Sequence, residues 1–108
     1  MNDSSDVVEG SELNELIGLQ SAKGAFKMGE IIEKLLNKKE EDIKKNCPPE
    51  VDMDVWITAL AIVLIETKFK ESKDSWELVT AKARKSIERK ATENMNDILV
   101  EAKKYIEI

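Results

Sequence analysis

One run of eleven residues, from Val55 to Ile65, most constrains how this chain can fold. It reads VWITALAIVLI, with no charged residue and one hydroxyl, in a chain whose residues are 36% charged. A surface helix has one apolar and one polar face, whereas this segment is apolar all round and must be covered on every side. It is too short to cross a bilayer, which takes about 20 apolar residues. We therefore expect a buried helix at the centre of a small domain.

The rest of the chain has apolar residues at helical spacing and only two prolines and four glycines. The spacing predicts a short helix from Ser11, a second over about 28–37, a helical turn over 40–45, the central helix over about 52–69, a fourth over about 76–91 and a fifth from Thr92 or Asn94. Gly24 is the predicted site of positive φ in the first turn. The predicted fold is all-α, a compact bundle of about five helices around the buried central helix.

The chain is long enough for one domain with one core. Residues 1–10 are polar and acidic, which predicts a disordered tail or linker, and residues 11–108 are predicted to form a single helical domain. A carboxylate of Asp52 or Asp54 is expected to cap the central helix. Residues 71–74 are expected to form a polar connection, with Asp74 or Ser75 capping the helix that follows.

The side chains that catalysis requires are scarce. The sequence has no histidine and one cysteine, Cys47, so neither a Cys–His pair nor an internal disulfide can form. It also has no glycine-rich phosphate loop and no calcium-binding loop. We expect no enzyme activity, no catalytic or metal-ligating residue and no cofactor.

The charge pattern argues against two classes of partner. The net charge is −5 and the lysines are interleaved with acidic residues, which is typical of a solvated helix surface and not of a nucleic-acid interface. No segment has the pattern of a membrane span or of a secretory signal. We expect a cytoplasmic protein with no membrane or direct nucleic-acid partner, and the lone cysteine fits a reducing compartment.

Four phrases carry a family resemblance: LIGLQSAKGAF at 16–26, EDI at 41–43, DVWITALA at 54–61 and WELVTAKA at 76–83. In this order they resemble the C-terminal helical region of proteins that carry a VIT domain and a von Willebrand factor A domain. Phe26 stands where that family often has Trp, and the Pro48-Pro49 pair is a second departure. A related region closes the vault-associated poly(ADP-ribose) polymerase, where it binds the major vault protein.

The resemblance implies a non-catalytic protein–protein interaction module that docks its parent protein onto the major vault protein inside the vault particle. A structural domain that packs against neighbouring VIT or von Willebrand A domains, or that self-associates, is the alternative. A helical bundle that holds an apolar ligand is a third hypothesis, although no polar residues converge to orient one. The shared residues look like core and turn positions, and the oligomeric state stays open.

Two residues near the chain end are candidates for partner binding, Tyr105 and Ile108. The inner stripe predicted for the fifth helix comprises Met95, Ile98, Leu99, Ala102 and Ile106. Tyr105 and Ile108 do not obviously belong to that stripe, so they could meet a partner. The alternative is that they cover the edge of the core.

Overall fold

The helical elements follow in chain order in a computed structural model that describes residues 12–91 and 94–107. They are α1 (12–17), α2 (Glu30–Leu36), α3 (Glu40–Lys45), α4 (Met53–Lys68), a 3-10 turn (Lys70–Ser72), α5 (Lys73–Lys90) and α6 (Met95–Glu107). Within these ranges the only β pairing is an isolated bridge between Gln20 and Phe26. The all-α prediction is confirmed.

Helix α4 lies at the centre of the molecule, as its sequence predicts. Every residue from Val55 to Ile65 is buried. Helices α5 and α6 pack along α4, and apolar residues of α1, α2 and α3 belong to the same core. The one hydroxyl of the run is satisfied, since Thr58 Oγ1 donates to Asp54 O at 2.6 Å and accepts from Phe26 N at 2.9 Å. Burial on all sides is therefore achieved without an orphaned polar atom at this position.

The predicted carboxylate cap of α4 is wrong. Asp52 occupies the position before the helix, but its side chain makes no capping hydrogen bond. Asp54 Oδ2 instead accepts from Lys90 Nζ at 2.8 Å, an exposed contact that joins the start of α4 to the end of α5.

The predicted polar connection over residues 71–74 is also wrong, since the chain turns within Lys70–Ser72 and α5 already begins at Lys73. Trp76 Nε1 donates to Phe69 O at 2.6 Å, and Ser72 N donates to the same carbonyl at 2.8 Å. These two bonds satisfy the carbonyl of Phe69, directly after α4, and hold the polar residues that follow in a tight corner. Asp74 and Ser75 lie inside α5 and do not cap it.

One turn prediction and one helix-start prediction are confirmed. Gly24 has a φ of +100°, in the region that favours glycine. Asn94 caps α6, because its Oδ1 accepts from Asn96 N at 2.8 Å. Ser11, Thr92 and the predicted tail over 1–10 lie outside the described residues.

Candidate functional site

The two predicted partner-contact residues have different outcomes. Tyr105 is only 6% exposed, its ring lies 5.9 Å from that of Trp56, and its hydroxyl donates to Asp42 Oδ2 at 2.7 Å. Ile108 lies outside the described residues. A partner contact by this pair stays a prediction, and the burial of Tyr105 favours the alternative that it covers the edge of the core.

The placement of Tyr105 off the inner stripe of α6 is wrong. The buried residues of α6 are Ile98, Ala102 and Tyr105, at spacings of four and three. Such spacing puts side chains on one face of a helix. Ile106, which was expected on the inner stripe, is only half-buried and lies at the margin of that face.

The Tyr105 phenol is a stable hydrogen-bond donor. Burial, the hydrogen bond to Asp42 and the negative charge of that carboxylate all raise the pKa of Tyr105. Next to it, Trp56 Nε1 donates to Ile43 O at 3.0 Å, and Lys38 Nζ lies 5.1 Å from the Tyr105 ring centroid. These contacts tie α3 to α4 and α6, so the cluster stabilises the bundle.

The described residues offer little for chemistry. They contain no group of three or more His, Cys, Asp or Glu side chains that could hold a metal ion. Burial, reinforced by the charge of Asp52, raises the pKa of the Cys47 thiol, which lowers its thiolate fraction. The concave surface between α2 and α3 is lined by lysine and glutamate side chains with Asn37, without the apolar wall that a small ligand requires. No helix in the ranges 12–91 and 94–107 is both long and apolar enough to cross a membrane.

The most exposed large apolar side chain of the described residues is Leu78 on α5, at 84% exposure, followed by Val100 on α6 at 49%. The buried residues of α5, Trp76, Thr80, Ala83, Ser86 and Ile87, face the core. Leu78 belongs to the phrase at 76–83 that carries the family resemblance, so the expectation that the shared residues are core and turn positions is wrong for it. Sequence reasoning missed this residue, although its position off the buried face of α5 was a visible signal.

Leu78 begins a line of residues that continues with Lys82, Lys85 and Arg89, at spacings of four, three and four. Residues so spaced follow one another along one side of a helix, and all four are exposed. We call these four residues the α5 outer stripe. They combine one apolar side chain with three cations.

The two other basic residues of this half of α5 are tied to α4. Arg84 Nη2 pairs with Glu66 Oε2, and Lys90 Nζ pairs with Asp54 Oδ2. These contacts direct Arg84 and Lys90 toward α4, so they fix the helix while the outer stripe faces solvent.

A loop over residues 20–26 also holds α5, through contacts with Val79, Lys82 and Arg89. Gln20 Nε2 donates to Val79 O at 2.9 Å and to Gly24 O at 3.1 Å. Gly24 lies so close to α5 that a Cβ there would stand 2.4 Å from Lys82 O. Arg89 Nη2 also donates to Lys23 O at 2.9 Å. The stripe is therefore carried on a braced helix, as a binding surface requires.

Comparisons with known proteins identify relatives over part of the chain. No family model and no solved structure matches the chain. The chain is 37% identical over 70 residues to von Willebrand factor A domain-containing protein 5A of Mus musculus, a match that covers 64% of this chain and 9% of the relative. The Homo sapiens protein of the same name is 35% identical over 74 residues, which is 68% of this chain and 9% of that protein. The chain thus spans about a tenth of the length of these relatives, and about two thirds of it is homologous to a segment of von Willebrand factor A domain-containing protein 5A.

Proposed function

We propose that this chain is a non-catalytic protein–protein interaction module that docks through the outer face of α5. By the family resemblance, the partner is the major vault protein. The lone cysteine fits a reducing compartment, so the proposed site of action is the cytoplasm. The observation that carries the docking face is Leu78, which is 84% exposed although it belongs to a shared phrase. Packing among the described residues does not account for a leucine at that position.

The core leaves few apolar side chains for a partner. All eleven residues of the central run are buried, and so are both tryptophans. Single exposed apolar residues are ordinary in folded proteins, so exposure alone is a weak argument. Leu78 differs from Val100 in two respects, since it lies within a phrase of the family resemblance and begins a line of cations. Burying a leucine against a partner contributes about 1.5–3 kcal/mol, enough to serve as an anchor.

Co-sedimentation with assembled vault particles tests both parts of this proposal. The chain carrying Leu78→Ser is compared with the unchanged chain and with a matched control, Val100→Ser. Both changes remove an exposed aliphatic side chain from a helix, so thermal unfolding should move little in either. We expect the unchanged chain and the Val100→Ser chain to sediment with vaults and the Leu78→Ser chain to remain in the supernatant.

The outcomes separate the partner from the surface. An unchanged, folded chain that never sediments with vaults would remove the major vault protein as partner. Equal sedimentation of the Leu78→Ser and unchanged chains would remove the outer face of α5 as the contact.

A second function is favoured by the length of the relatives. The matched segment is 9% of von Willebrand factor A domain-containing protein 5A, so most of that protein lies outside the segment. In a parent protein of that length, the role of this module would be to pack against neighbouring domains. The outer face of α5 would serve as the contact surface for that role equally well. Binding in trans to the human relative from which the matched segment has been deleted tests this role. Light scattering over a range of concentrations tests self-association, and a concentration-independent monomer would exclude it.

A further inference from the structure

We propose that the α5 outer stripe binds an acidic segment of a partner protein, with an apolar side chain of that segment on Leu78 and its carboxylates on Lys82, Lys85 and Arg89. This inference rests on the proposed function, since it specifies the chemistry of the partner at the same face. The motivating feature is the separation of charge along α5. Its last ten residues contain five basic residues and one acidic residue, in a chain of net charge −5.

The cations of the stripe differ from the other two in where they point. Arg84 and Lys90 have carboxylate partners on α4, in Glu66 and Asp54. Among the described residues, no ion pair is formed by Lys82, Lys85 or Arg89, although Arg89 donates one hydrogen bond to a backbone carbonyl. The one acidic neighbour, Glu88, forms no ion pair with Lys85 within those same ranges. Lys82 and Lys85 therefore have charges that no described carboxylate neutralises, and the Arg89 guanidinium keeps further N–H donors beside its one bond to Lys23 O. A carboxylate-bearing segment can meet all three.

Helix geometry sets the spacing that the partner must present. Lys82 and Arg89 lie four and eleven residues beyond Leu78, which corresponds to about 6 and 16 Å along the helix axis. A helical partner matches this with a leucine followed by acidic residues four, seven and eleven positions later. An extended partner matches it with about five residues.

The overall charge favours a short acidic segment over a larger anionic surface. A membrane or a nucleic acid presents negative charge over an area larger than the stripe, and it would also meet the acidic remainder of the chain. A short segment meets only the stripe, because charges beyond about 8 Å are screened at physiological ionic strength. The apolar first position of the stripe also fits an anchor residue of a protein better than it fits a phosphate.

The test is a titration of the isotope-labelled full chain with a designed helical peptide, followed by amide chemical shifts in NMR. The peptide carries one leucine, followed by glutamates four, seven and eleven positions later, with alanine and glutamine elsewhere. We expect shifts confined to residues 75–90 and the adjoining loop over 20–26, and no shifts over 95–107. A peptide with lysines in place of the glutamates should not bind.

Two charge reversals provide the matched comparison. Lys85→Glu lies on the stripe and Lys103→Glu lies on α6, both positions are exposed, and both change the net charge by the same amount. Lys85 is preferred to Lys82 and Arg89, since those two also contact the loop over 20–26. We expect Lys85→Glu to weaken binding of the glutamate peptide about tenfold and Lys103→Glu to weaken it less than about twofold. The effects differ because the lost ion pair and the new repulsion act only near the substituted residue. The difference should shrink in about 0.5 M salt, where screening shortens to a few ångström.

Three results would overturn the acidic-segment proposal. The first is equal weakening of glutamate-peptide binding by Lys85→Glu and Lys103→Glu. The second is binding of the lysine peptide as tight as that of the glutamate peptide. The third is tighter binding to vesicles containing phosphatidylserine or to duplex DNA than to the glutamate peptide. Failure here is distinguishable from failure of the proposed function. If Leu78→Ser abolishes vault co-sedimentation while the glutamate peptide does not bind, the docking face stands and the acidic partner is wrong.

Discussion

Gly24 provides the sharpest test of how the bundle is assembled, because two independent constraints meet at one atom. Its φ of +100° is a backbone conformation that side chains rarely adopt. A Cβ there would also lie 2.4 Å from Lys82 O and 3.0 Å from Lys82 C, which are backbone atoms of α5 and cannot move aside cheaply. We therefore expect Gly24→Ala to separate the loop over 20–26 from α5.

The size of the effect follows from the two contributions. A left-handed backbone costs a residue with a Cβ about 1–2 kcal/mol. Forcing an extra carbon against packed atoms costs about 1–3 kcal/mol more. The sum of about 2–5 kcal/mol is a large part of the about 5–15 kcal/mol that stabilises a typical domain. At about 4–8 °C per kcal/mol for a domain of about this size, the melting temperature should fall by at least about 8 °C.

Thermal unfolding followed by circular dichroism measures this effect, and Gly18→Ala is the matched control. A Cβ at Gly18 would lie 3.4 Å from the carbonyl oxygens of Asn14 and Glu15, which is ordinary contact, and its φ is not positive. The same chemical change at Gly18 should leave stability unchanged or raise it by about 0.4–1 kcal/mol.

The backbone contact also changes what other substitutions at Gly24 should do. Asn tolerates positive φ better than Val, so conformation alone makes Gly24→Val the more costly change. Both carry the Cβ that meets Lys82 O, however, so we expect Gly24→Asn to destabilise strongly as well. Equal melting temperatures for Gly24→Ala and Gly18→Ala would refute the close approach of this loop to α5.

Three further predictions concern the core. Trp56→Ala should cost about 3–5 kcal/mol, measured by urea unfolding, because it opens a cavity and leaves Ile43 O without its indole donor; a shift below about 1 kcal/mol would contradict the burial of Trp56. Tyr105→Phe should cost about 1 kcal/mol at neutral pH through loss of the bond to Asp42. Burial and Asp42 raise the pKa of Tyr105 above its ordinary value of 10.0, so the stability that the neutral phenol supplies is complete below pH 10.0 and is lost as the pH rises beyond it. The unfolding free energies of the unchanged and Tyr105→Phe proteins should therefore converge in alkali. A difference that stays constant with pH would contradict this. The double change Tyr105→Ser with Ile108→Ser should lower stability, and unchanged stability with lost vault binding would favour the partner-contact alternative.

The sequence predicted the helical core well because its strongest signal does not depend on context. A run from Val55 to Ile65 without a charge has no solvent-facing side, so burial of the whole segment was the one arrangement available. Gly24 was found for a similar reason, since a glycine between two helical patterns indicates a backbone that other residues avoid. Its second constraint, the backbone of Lys82, arises between segments far apart in the sequence and could not be predicted.

The errors lie where a tertiary contact decided a local choice. Residues 71–74 are polar and indicated a connection, but the chain turns tightly within Lys70–Ser72, where the Trp76 indole bonds to Phe69 O, and α5 begins at Lys73. Asp52 holds the position before α4 but makes no capping hydrogen bond, and the carboxylate of Asp54, in the first turn, bonds to Lys90 of another helix. Tyr105 was excluded from the inner stripe because Ile106 was counted in its place, although spacing of four and three from Ile98 through Ala102 leads to Tyr105.

The candidate site was partly visible in the sequence. Leu78 falls between Trp76 and Val79 and off the buried face of α5, which could have marked it as exposed. The basic residues of α5 did not by themselves reveal the outer stripe, because charge signs alone do not show which cations bond to α4. Only the contacts of Arg84 and Lys90 separate the cations that tie the helix down from those that face outward.

Hydroxyl-radical footprinting of the chain, free and bound to assembled vault particles, most directly tests the central claim that the chain docks through the outer face of α5. It measures the modification rates of the Leu78 and Val100 side chains in one sample. Both side chains are exposed in the free chain and should be modified readily. We predict that binding slows modification of Leu78 several-fold and leaves Val100 unchanged. Complex formation with Leu78 modified as fast as in the free chain would contradict docking through the outer face of α5.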